Sequence, residues 1–167
     1  MFKTKKLKPA PASPPAEAFT SADVSRLSGV SLRQLQWWDE QHVVSPRHDG
    51  HKRVYLPSEV IEIAVIADLR RKGFSLQKIR RVLRHLQRDM GKRLGEALTA
   101  DKETFLLTDG KTTHLEESRE RVIDVLKGAR QPMFLVCVSE QALLLAVPQK
   151  KPARSETVGA SRKARAV

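Results

Sequence analysis

The sequence predicts a mainly α chain: an N-terminal winged helix-turn-helix, a small α/β unit after it, and disordered basic tails. Three observations carry this reading. Two short helical signals meet at a glycine turn in SRLSGVSLRQL. A basic segment with an Asp-Gly turn follows them. Beyond Gly91 the apolar spacing changes from helical to strand-like. The boundaries follow composition: a basic arm over 1–18, the winged unit over 19–90, an α/β unit for dimerisation or sensing over 91–147, and a basic tail over 148–167.

Thr20 with Asp23 three residues on predicts a capping box that opens a helix through Ser28. Gly29 ends it, and Ser31 caps a second helix from Leu32 to about Glu40. Val43, Val44 and Pro46 leave that helix as extended chain. Asp49-Gly50, inside Arg47–Tyr55, predicts a basic hairpin, the wing. Pro57 and Ser58 open a third helix to about Lys72, apolar on more than one face and so expected to be buried on two sides. Gly73 closes it. Ser75 caps a fourth, with Leu76, Ile79, Val82, Leu83 and Leu86 inward and Lys78, Arg80, Arg81, Arg84 and Arg88 outward.

In the second unit, residues 92–100 predict one or two helical turns. Thr104–Thr108 and Lys111–Leu115 flank Asp109-Gly110 as a second hairpin. Glu116–Arg130 predicts a helix with Val122, Val125 and Leu126 inward, stopped by Pro132. Met133–Val138 and Leu143–Val147 have the look of strands. The proline-rich arm and the polar tail carry too little apolar surface to fold by themselves.

The 167 residues carry a net charge of +12, distributed as +3 over 1–18, +5 over 19–90, −1 over 91–147 and +5 over 148–167. A basic domain between basic tails is the electrostatic footprint of a polyanion binder. No apolar run reaches the roughly 18–20 residues of a membrane span, and the N-terminal stretch has no apolar core of a secretory signal. A cytoplasmic protein without membrane attachment is therefore expected. The single cysteine, Cys137, lies in the apolar run FLVCVS and is expected to be a buried small hydrophobe, so no disulfide, metal site or cofactor is expected.

On the second helix, Leu32 and Leu35 are expected inward, against Val24 and Leu27, while Arg33, Gln34 and Trp37 cluster on the other side. Arginine matches guanine, glutamine matches adenine, and an indole N–H can donate to phosphate. Such a face suits the major groove; the alternative is an ordinary solvated face with Trp37 packed on a neighbour. Trp38 is expected in the core. The hairpin adds His48, His51, Lys52 and Arg53, suited to following a phosphate backbone. Arg70, Arg71 and Lys72 end the third helix, as a second backbone contact or as complements to the helix dipole.

The stretch from Phe19 to Leu83 closely resembles the DNA-binding domain of the MerR family without a gap. SRLSGVS matches at the helix-turn-helix, LRQLQWWDE in the recognition helix, HVVSP entering the wing, KRVY leaving it, and LRRKGFSLQKIRRVL in the helix pair beyond. The resemblance implies a regulator that binds double-stranded promoter DNA as a homodimer, with RNA polymerase as a further partner at the promoter. By position it implies DNA contacts from Arg33, Gln36, Trp37, Lys52, Arg53, Tyr55 and Arg70. The set of candidate contacts from both arguments is completed by Ser31, Gln34, His51 and Arg71.

Two departures stand out. The family usually has an arginine where this chain has Gln36, and two tyrosines where it has Trp37 and Trp38, so the operator does not carry over. Typical members also continue into a long coiled-coil helix, whereas Gly91 and Gly95 interrupt this pattern. Dimerisation is therefore expected through the 101–147 segment. No catalytic set is evident: there is no Ser/His/Asp arrangement, phosphate-binding glycine loop or spaced carboxylate pair, so an enzyme is not expected. An autoregulatory antitoxin, binding a partner protein through its C-terminal unit, is the alternative function; non-specific nucleoid binding is a third. The effector, if a small molecule, is not indicated.

Overall fold

A computed structural model describes residues 18–89 and 102–146. The expected basic arm up to residue 17, the turns over 92–100 and the basic tail over 148–167 lie outside the described residues.

The helical half begins with a two-residue strand, β1 (Phe19–Thr20), and helix α1 (Ser21–Ser28). The expected capping box is formed: Asp23 N–H donates to Thr20 Oγ1 at 3.3 Å and Thr20 N–H to Asp23 Oδ2 at 3.0 Å. Gly29 takes the left-handed conformation (φ 73°) that lets the chain leave α1, and its N–H caps Ser25 O. Helix α2 (Leu32–Glu40) starts from Ser31 with a second capping box, closed by Gln34.

The basic segment folds as strands β2 (Arg47–Asp49) and β3 (Lys52–Tyr55), paired antiparallel about Gly50. The sequence reading did not include β1, which adds to the far side of β3 in the order β1-β3-β2. Two residues are too few for a periodic signal; only tertiary pairing defines that strand.

Helix α3 (Pro57–Arg71) is the axis of the molecule, with nearly every residue from Glu59 to Leu69 buried. Helix α4 (Leu76–Asp89) packs against it after the Gly73 turn and buries Ile79, Val82 and Leu86. The second half supplies strands β4 (Phe105–Thr108) and β5 (Thr113–Glu116), helix α5 (Arg119–Gly128), strand β6 (Phe134–Cys137) and helix α6 (Val138–Leu143). A 3-10 turn over Leu144–Ala146 follows. The sheet order is β5-β4-β6, antiparallel throughout.

Pairing assigns the two faces of this sheet. Leu106, Val136 and Leu115 join Val138 in the core built by α1, α2, α3 and α4. Phe105, Leu107 and Cys137 point the other way, onto Val122 and Val125 of α5. The layers are therefore helices, sheet, then α5. This explains why α3 is apolar on two sides: one meets its helical neighbours and the other meets β6 and α6. Phe74 of the α3–α4 turn locks the layers, meeting Phe134 edge-on at 4.8 Å between ring centroids.

Two expectations in this half are corrected. The expected strand over Leu143–Val147 is not formed by its described residues, 143–146: Leu143 ends α6 and residues 144–146 form the 3-10 turn. The run is apolar because it packs beside the helical core through Leu145, which helical turns achieve as well as a strand. The 116–130 helix is shorter, since Glu116 pairs with Phe105 in β5 and α5 begins at Arg119. Leu126 is exposed rather than inward, as Val122 and Val125 already face the sheet.

Candidate nucleic-acid interface

Helix α2 owes its position to two buried anchors. Leu35 and Trp38 sink into the core, as the spacing predicts for them. Leu32 does not: it is 55% exposed, because it lies at the helix start, ahead of the turn that meets α1. The outward side carries Arg33, Gln34, Gln36 and Trp37, with Trp37 45% exposed. An indole left this open in a helix with two other anchors contributes little to the core, so its packing does not explain it.

Hydrogen bonds sort these side chains. Ser31 is engaged as the N-cap, accepting from Gln34 N–H at 3.2 Å. Gln34 reaches back to Ser31 N–H with its carbonyl oxygen at 3.2 Å, so its acceptor is already used locally. Gln36 donates to Glu40 at 2.8 Å along the helix. Arg33 forms no ion pair among the described residues.

Asp39 couples this helix to the hairpin. Arg53 Nε donates to its Oδ2 at 2.6 Å, and His48 Nε2 lies 3.0 Å from the same oxygen. The Asp39 and Arg53 side chains are only 14% and 23% exposed. Arg53 is thus held between β3 and α2, while Lys52 and His51 at the hairpin tip stay exposed. The sequence reading passed over Asp39, although a signal was present. A carboxylate near the C-terminal end of a helix opposes the helix dipole and needs a cation to offset it. On the other flank, Arg80 of α4 donates to Gln41 O at 2.5 Å, clamping the end of α2.

Tyr55 is corrected as a surface contact. It is fully buried, with α1 packed on β3, and burial raises its phenol above its ordinary value. A strand alternates its faces, so the residue that follows exposed Lys52 by three points into the core. Arg70 and Arg71 stand at the end of α3, roughly 20 Å along the helix from the hairpin's exit. Arg70 Nη1 donates to Phe74 O at 2.8 Å, stapling the α3–α4 turn, and Arg71 lies 3.5 Å from Asp68, which also pairs with Lys72.

Among the described residues no group of three or more His, Cys, Asp or Glu side chains is placed to hold a metal ion. No helix among them is long and apolar enough to cross a membrane.

Two short capped helices about a left-handed glycine, an outward polar face on the second, and a basic hairpin pinned beside it define a helix-turn-helix DNA-binding domain. Comparison with known proteins places it more closely. Residues 19–86 match the MerR HTH family regulatory proteins, and this domain belongs to that family. Proteins described as uncharacterized HTH-type transcriptional regulators, from Mycobacterium bovis and from two strains of Mycobacterium tuberculosis, are 28% identical over 119 residues. Those matches cover 68% of this chain and 49% of each relative, so the chain spans about half their length. They also run beyond the 19–86 domain, so the likeness is not confined to the helix-turn-helix.

Proposed function

We propose that this protein is a sequence-specific transcriptional regulator that binds a pseudo-palindromic promoter operator as a homodimer. Helix α2 enters the major groove, and the β2–β3 hairpin grips the flanking backbone. The observation that carries this is the Asp39 pairing, which fixes the exposed Arg33–Trp37 face and the exposed Lys52 tip as one rigid surface. Arg33 reads a base edge. Trp37, Lys52 and His51 contact phosphates, and Gln36 lies at the groove with its amide tied to Glu40. Ser31 and Gln34 present the helix N-terminus. Arg53 orients the hairpin, and Arg70 and Arg71 extend the backbone contact along the α3–α4 turn. RNA polymerase at the same promoter is the further partner on this reading.

Fluorescence anisotropy tests it, with a duplex from upstream of the protein's own gene and a scrambled duplex at two salt concentrations. The expected result is a preference of about a thousandfold or more at physiological salt. Equal, salt-sensitive binding to both duplexes would refute sequence-specific reading.

A further inference from the structure

Of the large apolar side chains left exposed among the described residues, half fall on two short elements of the second half. These are Ile123 and Leu126 of α5, at 48% and 43%, and Phe134 and Leu135 of β6, at 38% and 40%. Strand β6 is an edge: among the described strands it pairs with β4 alone. Its sequence, Phe134-Leu135-Val136-Cys137, has no charge and no proline. The opposite edge, β5, is protected by His114 and Glu116. An apolar edge without such protection is built to pair with another strand.

Ile123, Leu126 and Leu135 make up a strip on the α5 side of the sheet, whereas Phe134, one residue from Leu135 in the strand, points to the other side and meets Phe74. Arg119 binds Glu103 through two contacts of 2.8 Å. Glu103 precedes Thr104, whose carbonyl accepts from Val138 N–H at the end of β6 at 2.8 Å. The side of α5 that carries Arg119 therefore faces β6. Ile123 and Leu126, four and seven residues on, share that side. Leu135 points to the α5 face of the sheet, as its pairing with Leu107 requires.

We infer that this strip is the interface with a second copy of the chain, made by antiparallel pairing of the two β6 strands into one six-stranded sheet. An edge strand is complementary to itself about a two-fold axis. Charge points to the same occupant: in a chain of +12, only the 91–147 segment is not positive, so two copies meet there with least repulsion. The register follows from the faces. A two-fold axis perpendicular to the sheet keeps both α5 helices on one side, and same-face residues must then pair. Leu135 is the exposed residue of that face, so it sits opposite its own copy. The sheet separates this strip from the helical layer, which leaves α2 and the hairpin open. The inference rests on the regulator reading for its purpose, two half-sites requiring two copies.

Sedimentation velocity on the full chain at tens of micromolar tests the interface. The expected result is a dimer whose dissociation constant rises tenfold or more in Leu135→Lys and in Ile123→Glu, with unchanged far-UV circular dichroism. Both positions are exposed, so neither variant disturbs the monomer core. Leu135→Cys in a Cys137→Ser background should oxidise to a cross-linked dimer. Directly opposed residues of an antiparallel pair have Cα atoms about 4.5–5.5 Å apart, within the disulfide range of about 4.4–6.8 Å. A monomeric wild type would overturn the inference, and so would a dimer that resists both variants and yields no cross-link at position 135. A half-site duplex separates this outcome from failure of the regulator reading. Leu135→Lys should retain half-site affinity and lose the gain from a full palindrome. Absence of sequence preference in the wild type would instead sink the regulator reading and leave the interface standing.

Discussion

Replacing Asp39 with alanine gives opposite results on two accounts of that residue. If the carboxylate is only a negative charge near DNA, removing it lowers repulsion and tightens binding. If it positions the hairpin, removing it weakens binding. The structure supports the second. One carboxylate oxygen takes Arg53 Nε at 2.6 Å and has His48 Nε2 at 3.0 Å, with Asp39 only 14% exposed. A hydrogen bond to a charged group contributes about 1.5–3 kcal/mol. Asp39→Ala should therefore lower stability by about that amount in urea melts. Where hairpin order is needed for the complex, it should weaken operator binding by roughly tenfold or more, since about 1.4 kcal/mol is a decade. A double-mutant cycle with Arg53→Ala should give a coupling of about 1.5 kcal/mol or more, because the second change removes a contact already lost. Anisotropy at two salt concentrations supplies the readout. Equal or tighter binding by Asp39→Ala at both, with no coupling to Arg53, would refute the positioning role.

Four further changes follow from the geometry. Arg33→Ala should cost about 1–3 kcal/mol of operator affinity and relax base preference, while Lys52→Ala should weaken all duplexes alike and reduce the salt slope by about one, both measured by salt-dependent titration. Gly29→Ala should destabilise the fold by about 1–2 kcal/mol in thermal or urea melts; a Cβ there meets no atom within 4 Å, so the cost is torsional, from φ 73°. Asp109 closes the β4–β5 turn. Partial burial pushes its carboxyl up, but hydrogen bonds from Thr112 and Lys111 N–H outweigh this and hold it below the usual carboxylate range. A depressed folded value means that its contribution is present above the unfolded value of about 3.9 and is lost as pH falls through the folded one. Asp109→Asn should therefore flatten the acid limb of the stability–pH curve, and an unchanged limb would count against the turn as its source.

The sequence by itself determined whatever depends on neighbours along the chain. Thr20, Asp23, Ser31 and Gly29 specify the two helices and their turn through caps and a left-handed glycine, each acting on a group no more than four residues away. Asp49-Gly50 and Asp109-Gly110 mark the hairpins, and the spacing of Ile79, Val82 and Leu86 marks the buried face of α4. The tertiary structure decided what depends on distant partners. Tyr55 and Lys52 sit in one four-residue strand, yet one is core and the other surface, because α1 packs on a single face of β3. Asp39 and Arg53 are fourteen residues apart, and no periodicity relates them until the hairpin folds beside α2. Leu143–Ala146 is apolar enough for a strand, but the layer beside α1 and α3 accepts it as helical turns. Apolar patterning fixes how much surface a segment must bury; only the shape of the neighbouring layer selects the conformation that buries it.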